Sequence, residues 1–193
     1  DVTAINYFSK KTGIPLKKIG VKGSSQGAAK IPYILSELED LKYGIVVSCP
    51  GVTLLESDLN YWRNRNADAI GNEIDAATNF QRKVFEFIAG ELSRTDLEKA
   101  IENEKSNSWF AHIWVPNLDE VQTDKKLLYS PIPYFVTTKQ PLLIIQGTKD
   151  EIIPLNSDEI ISEALITSGN DNFKTVLLEG ASHSMYNIGE SDF

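Results

Sequence analysis

A serine hydroxyl attacks well at neutral pH only when a base takes its proton. That base, usually an imidazole, needs a carboxylate to hold its tautomer and stabilise the imidazolium. Ser25 lies in Gly23-Ser24-Ser25-Gln26-Gly27, between the β-prone run Lys18–Gly23 and an apolar pattern at helical spacing. Strand, sharp turn and helix make the setting of a nucleophile elbow, which carries its serine at the tip of a strained turn. Gly23 and Gly27 flank the turn where side chains are expected to collide with the neighbouring strand and helix. A helix opening at Ser25 turns free N–H groups and its positive end toward the serine oxygen. A Gly-x-Ser-x-Gly arises by chance in roughly one in twenty chains of this length, so the motif needs partners.

The chain holds two histidines. His183 lies in Leu178-Glu179-Gly180-Ala181-Ser182-His183-Ser184, in the loop after the last predicted strand. Loops at the carboxyl ends of parallel strands share one rim, where ligands bind, and Ser25 belongs to that rim. His112, within Trp109-Phe110-Ala111-His112-Ile113-Trp114, has no such setting and reads as a packing or pocket-wall residue. The acid should also follow a strand, as Asp150 does in Gln146-Gly147-Thr148-Lys149-Asp150-Glu151. Glu151 is its nearest rival. Glu56 and Asp58, after another strand, form a weaker alternative, and Asp158 reads as a first-turn helix carboxylate.

The elements that position these residues alternate. A helix is expected over 3–12, stopped by Gly13 and Pro15, then strands at about 18–23, 43–48, 141–146 and 173–178. The helix after the elbow carries Ala28, Ala29, Ile31, Ile34, Leu35 and Leu38 on one face, with a kink expected at Pro32. Another helix begins at Asn156 or Ser157. Apolar strands alternating with helices predict an α/β fold with a parallel sheet of about four strands. Residues 53–135 break the rhythm: they look helical, with a capping box at Thr95-Asp96-Leu97-Glu98. This stretch is rich in aromatics, including Tyr61, Trp62, Phe80, Trp109 and Trp114. The aromatics read either as the insertion's own small core or as the wall of a substrate pocket. The expected organisation is a core of 1–52 and 136–193, with 53–135 as a helical lid.

With 193 residues, 41% apolar and 24% charged, the chain has an ordinary globular composition. A net charge of −8 without a Lys/Arg block makes nucleic acid and anionic membranes poor partners. The longest apolar runs are strand-sized, so no membrane span is expected. The single cysteine, Cys49, excludes an intrachain disulfide and reads as a buried structural thiol. No cluster of His and Cys suggests a metal, and the chemistry of the site asks for no cofactor. The first residue is Asp1, which suggests a removed leader or a segment of a longer polypeptide and leaves the compartment open, cytoplasmic or exported.

The order Ser25, Asp150, His183 is the nucleophile, acid, histidine order of the α/β-hydrolases. Ile19–Gly27, Pro141–Pro154 and Val176–Ser184 carry the likeness, and the chain resembles that superfamily, in its serine esterase form with a helical lid. Tyr129-Ser130-Pro131 resembles the element that leads back from such a lid. The resemblance implies Ser25 as nucleophile, His183 as general base and acid, Asp150 as orienting carboxylate and the Gln26 backbone N–H as one oxyanion donor. It also implies that strands and a second oxyanion donor normally precede residue 3, so the domain is expected to lack its N-terminal part. The strand at 18–23 would then present an open edge, a place for pairing with another chain. The implied function is hydrolysis of a carboxylic ester through an acyl-enzyme, with a small-molecule ester or acyl substrate as the partner. A peptidase or acyl thioesterase with the same triad, or a non-catalytic domain of this fold, are the alternatives.

Overall fold

The computed structural model describes residues 1–186. Helix α1 (Val2–Thr12) ends at Gly13, whose N–H donates to the Ser9 carbonyl at 2.9 Å and whose φ of 71° turns the chain out of the helix. A 3₁₀ turn at Leu16–Lys18 precedes strand β1 (Gly20–Ser24), so the strand starts two residues later than its apolar run suggests. Helices α2 (Gln26–Ala29) and α3 (Ile31–Glu37) and strand β2 (Tyr43–Val47) follow. Next come the long helices α4 (Leu54–Ile70), α5 (Ile74–Ala89) and α6 (Arg94–Glu104). Helix α7 (Ile132–Phe135), strand β3 (Leu142–Gly147), helix α8 (Ser157–Thr167) and strand β4 (Phe173–Leu178) close the described chain.

The expected kink at Pro32 is instead a break between two helices. Pro32 occupies the first turn of α3, where its missing N–H has no carbonyl to reach, so the ring costs the helix nothing. The capping box also moves. The cap of α6 is Ser93, whose Oγ accepts from the Asp96 N–H at 3.1 Å and donates to the Asp96 carboxylate at 2.7 Å. Ser93-x-x-Asp96 has the same spacing as Thr95-x-x-Glu98, and the earlier pair wins because it bonds in both directions.

The chain divides into two compact units, residues 1–52 with 130–193 and residues 53–129. In the first, the strands form a parallel sheet in the order β1-β2-β3-β4. Gly44 shows how α3 lies on it. A Cβ there would stand 2.8 Å from Leu142 Cδ2 and 3.0 Å from both Ile31 Cγ2 and Leu35 Cδ1, so a side chain at this position would have to displace these three. On the same face, Ser162 of α8 meets Thr175 of β4 hydroxyl to hydroxyl at 3.3 Å. Ile31, Leu35, Val46, Phe135, Ile144, Ile161 and Leu165 form the buried core of this unit. Gln140 finishes α3 by donating to the carbonyls of Leu35 and Glu39 at 2.9 and 3.0 Å. Residues 130–135, expected to travel with the helical insertion, belong to the sheet-bearing unit. The fully buried Phe135 and the edge-on packing of Tyr134 against Tyr33 hold them there.

The second unit has its own core of Ala77, Phe80, Val84, Leu97 and Trp109, with Trp62, Phe87 and Phe110 packed around it. Phe80 stands 5.8 Å from Trp109 and 5.2 Å from Phe110, ring centre to ring centre, so much of the aromatic content fills this core. Gln81, fully buried, donates to the Trp114 carbonyl at 3.1 Å and accepts from its N–H at 3.0 Å. That pairing holds the backbone of a tryptophan that is 53% exposed. No helix among the described residues is long and apolar enough to cross a membrane.

Candidate active site

The turn after β1 carries Ser25 at φ 54° and ψ −127°, a conformation costly for a residue with a Cβ. Neighbouring contacts enforce it. The Ser25 N–H donates to the Val47 carbonyl at 2.9 Å, continuing the β1–β2 ladder by one residue, and the Ser25 carbonyl then accepts from Ala29 at 3.1 Å to open α2. A Cβ on Gly23 would lie 2.4 Å from the Gly27 carbonyl oxygen, so the helix can fold back onto the strand only over glycine. Gly27 differs from expectation. A Cβ there would meet nothing within 4 Å, so no contact among the described residues demands glycine at that position.

Ser25 Oγ stands 2.9 Å from His183 Nε2. His183 Nδ1 lies 2.9 Å from Asp150 Oδ2 and 3.0 Å from Oδ1. The carboxylate is wholly shielded and the imidazole only 10% exposed, so little water competes for these bonds. Asp150 Oδ1 also accepts from the N–H groups of Ile152 and Ile153 at 2.9 and 3.1 Å, which orient the carboxylate before it meets the ring. An imidazole protonated on Nδ1 donates to Asp150 and leaves Nε2 free to accept from the serine hydroxyl.

The loops carrying Asp150 and His183 are locked together. A Cβ on Gly147 would fall 2.2 Å from the Ala181 carbonyl oxygen, and that oxygen also accepts from the Lys149 N–H at 2.9 Å. Thr148 takes the Leu178 carbonyl through its N–H at 3.0 Å and the Gly180 N–H through its hydroxyl at 2.9 Å. Buried Gln146, the polar last side chain of an apolar strand, donates to the Leu155 carbonyl at 2.8 Å and anchors the far end of the Asp150 loop.

Glu151, the rival acid, faces elsewhere: its Oε2 accepts from the His183 backbone N–H at 3.1 Å, and it is Asp150 that meets the ring. Glu56 belongs to α4, where Arg82 grips it through both terminal guanidinium nitrogens, an arrangement that also raises the arginine pKa. Asp58 shares that helix. Asp158 lies in the first turn of α8, as expected. His112 ends the 3₁₀ turn Ser108–His112 of the helical unit and is exposed, so it does not pack in that unit's core. Gln26 is the first residue of α2, one position past the nucleophile candidate. Among the described residues, no group of three His, Cys, Asp or Glu side chains could hold a metal ion.

Sequence reasoning missed Ser48. It follows β2, takes a φ of 47°, is fully buried, and donates its hydroxyl to the His183 carbonyl at 2.7 Å. A serine ending an apolar strand beside Cys49-Pro50 carries no recognisable pattern; only the fold brings it to His183.

Residues 71–191 match the prolyl oligopeptidase family. No curated protein matches the chain by sequence. Among solved structures, the acylaminoacyl peptidase of Pyrococcus horikoshii is similar at 19% identity and a TM-score of 0.51, over 93% of this chain and 22% of that one. A puromycin-hydrolyzing peptidase of Mycobacterium tuberculosis is similar at 15% identity and a TM-score of 0.50, over 95% and 21% of the two chains. An esterase of Pyrococcus furiosus gives 18% identity, 86% and 46% coverage and a TM-score of 0.45, too loose a likeness to weigh on substrate. The chain thus spans about a fifth of the length of the two peptidases, and its parallel sheet with flanking helices is an α/β-hydrolase fold.

Proposed function

Because this chain belongs to the prolyl oligopeptidase family, we propose that it carries the catalytic centre of a serine hydrolase acting on peptide bonds through an acyl-enzyme. The observation that supports this most is the unbroken line from Asp150 through His183 to Ser25, with both links at 2.9 Å. Ser25 attacks the scissile carbonyl while His183 Nε2 takes its proton. Asp150 stabilises the resulting imidazolium, and the Gln26 backbone N–H, at the opening of α2, faces the oxyanion of the tetrahedral intermediate. His183 then delivers its proton to the leaving amine, and a water activated by the same nitrogen releases the acid and restores Ser25.

The triad does not by itself select the leaving group, and it is the resemblance to serine esterases that implies a carboxylic ester. Family membership moves the proposal to an amide. Esters and thioesters remain substrates the same machinery can acylate from, because their leaving groups depart more easily than an amine.

The test uses the full-length protein. A fluorophosphonate should label Ser25, and aminoacyl p-nitroanilides should turn over alongside p-nitrophenyl esters of graded acyl length. Labelling without anilide turnover, but with ester or thioester turnover, moves the substrate back to an oxygen or sulfur ester. No labelling under conditions that label a folded control enzyme defeats the hydrolase reading.

A further inference from the structure

Among the described residues, three other than glycine adopt a positive φ: Ser25, Ser48 and Met185. All three gather around the histidine. Ser25 Oγ is bonded to the His183 ring, Ser48 Oγ to the His183 carbonyl, and Met185 donates its N–H to the carbonyl of Ser182 at 3.0 Å. Backbone strain of this kind persists only where surrounding contacts over-determine it, and it collects at functional sites. Ser25 is accounted for by the elbow and Met185 by its turn. Ser48 lies in the loop after the neighbouring strand, outside the Ser25–His183–Asp150 line, and its strain is unexplained by that line.

We infer that Ser48 is a positioning residue for the general base: its hydroxyl holds the His183 main chain so that Nε2 stays within reach of Ser25 Oγ. The inference rests on the hydrolase reading above. Its geometry is specific. The Val47 carbonyl receives the Ser25 N–H, and the Ser48 N–H continues the ladder to the Ile145 carbonyl at 2.9 Å, so Ser48 is tied to the ends of both β1 and β3. From that fixed point its hydroxyl reaches 2.7 Å to the His183 carbonyl, while Glu151 takes the His183 N–H at 3.1 Å. Both main-chain polar groups of the histidine are thereby held by side chains, one from the β2 end and one from the β3 loop. The ring hangs from a backbone that cannot slide away from the serine. Ser48 is fully buried, so removing its hydroxyl takes a hydrogen-bond partner from the His183 carbonyl in the interior.

Misplacing a catalytic group by about 1 Å costs on the order of 10²-fold in rate while leaving binding largely alone. The experiment therefore separates reaction from binding. In the full-length protein, the rate of Ser25 modification by a fluorophosphonate is measured against reagent concentration, giving a limiting rate and a half-saturation concentration, both normalised to folded protein. Ser48→Gly removes the hydroxyl and suits a φ of 47°, so it relieves the strain. Its limiting rate should fall about 10-fold or more, with half-saturation within about twofold of wild type. Ser48→Cys keeps the volume and a weak donor, and it should fall between the two while guarding against a glycine variant that does not fold. A wild-type limiting rate in either folded variant overturns the inference and leaves the hydrolase reading intact. So does a loss confined to half-saturation. Failure of the unmutated protein to label overturns both.

Discussion

Within the proposed triad each side chain is assigned one function, and each makes a different prediction. Ser25→Ala and His183→Ala should each abolish fluorophosphonate labelling, whereas His112→Ala should label at close to the wild-type rate. Asp150→Asn should lower turnover by roughly 10⁴, because an amide facing Nδ1 favours the wrong tautomer. Glu151→Gln keeps an oxygen for the His183 N–H and should cost far less, which steady-state turnover of the two variants compares directly. A reversed order moves the acid by one position. Cys49 tests burial rather than catalysis. It is 2% exposed, and desolvation pushes its thiol pKa far up, away from the reactive thiolate. Iodoacetamide should leave it untouched in the native protein and alkylate it once denaturant is added, as mass spectrometry would report.

At the scale of elements, two glycines that look alike in the sequence should behave oppositely. Gly147→Ala drives a methyl into the Ala181 carbonyl, the backbone that links β4 to His183, so it should lower both the melting temperature and the labelling rate of Ser25. Gly27→Ala meets open space, and alanine is the better helix former by about 1 kcal/mol, so its melting temperature should hold or rise. Thermal unfolding of the pair decides between them. The strands and most helices were legible because their period is local: the apolar runs at 43–47 and 142–147 and the spacing of Ile31, Ile34 and Leu35 report their own burial. Less legible were features set by competition between equivalent local options. The α6 cap fell to Ser93 rather than Thr95, and Pro32 found a helix start where a kink was expected.

For the whole molecule, the division into two compact units predicts separable stability. Phe80→Ala opens a cavity in the helical unit's core and should cost it about 3–5 kcal/mol. Hydrogen exchange should then speed up across α4–α6 while β1–β4 keep their protection. Loss of protection in the strands as well would mean the two units unfold as one. We propose that the outer edge of β1, which pairs with β2 alone among the described residues, is open to a further strand. In that reading the exposed Lys22 on β1 discourages indiscriminate pairing.

Gly-x-Ser-x-Gly between strand and helix, an acid after the third strand and a histidine after the fourth are readable in the sequence because each has a local signature of motif and element end. In a parallel sheet, the carboxyl ends of strands must share a rim, so Ser25, Asp150 and His183 could be grouped before any coordinate was known. Distance and support were not readable. That Asp150 rather than Glu151 faces the imidazole depends on which way one turn winds, and neighbours in sequence cannot settle it. That Ser48 holds the histidine depends on a hydrogen bond spanning 135 residues of chain. Such a contact leaves no periodicity and no spacing, because the two residues become neighbours only when β1, β2, β3 and β4 are laid side by side.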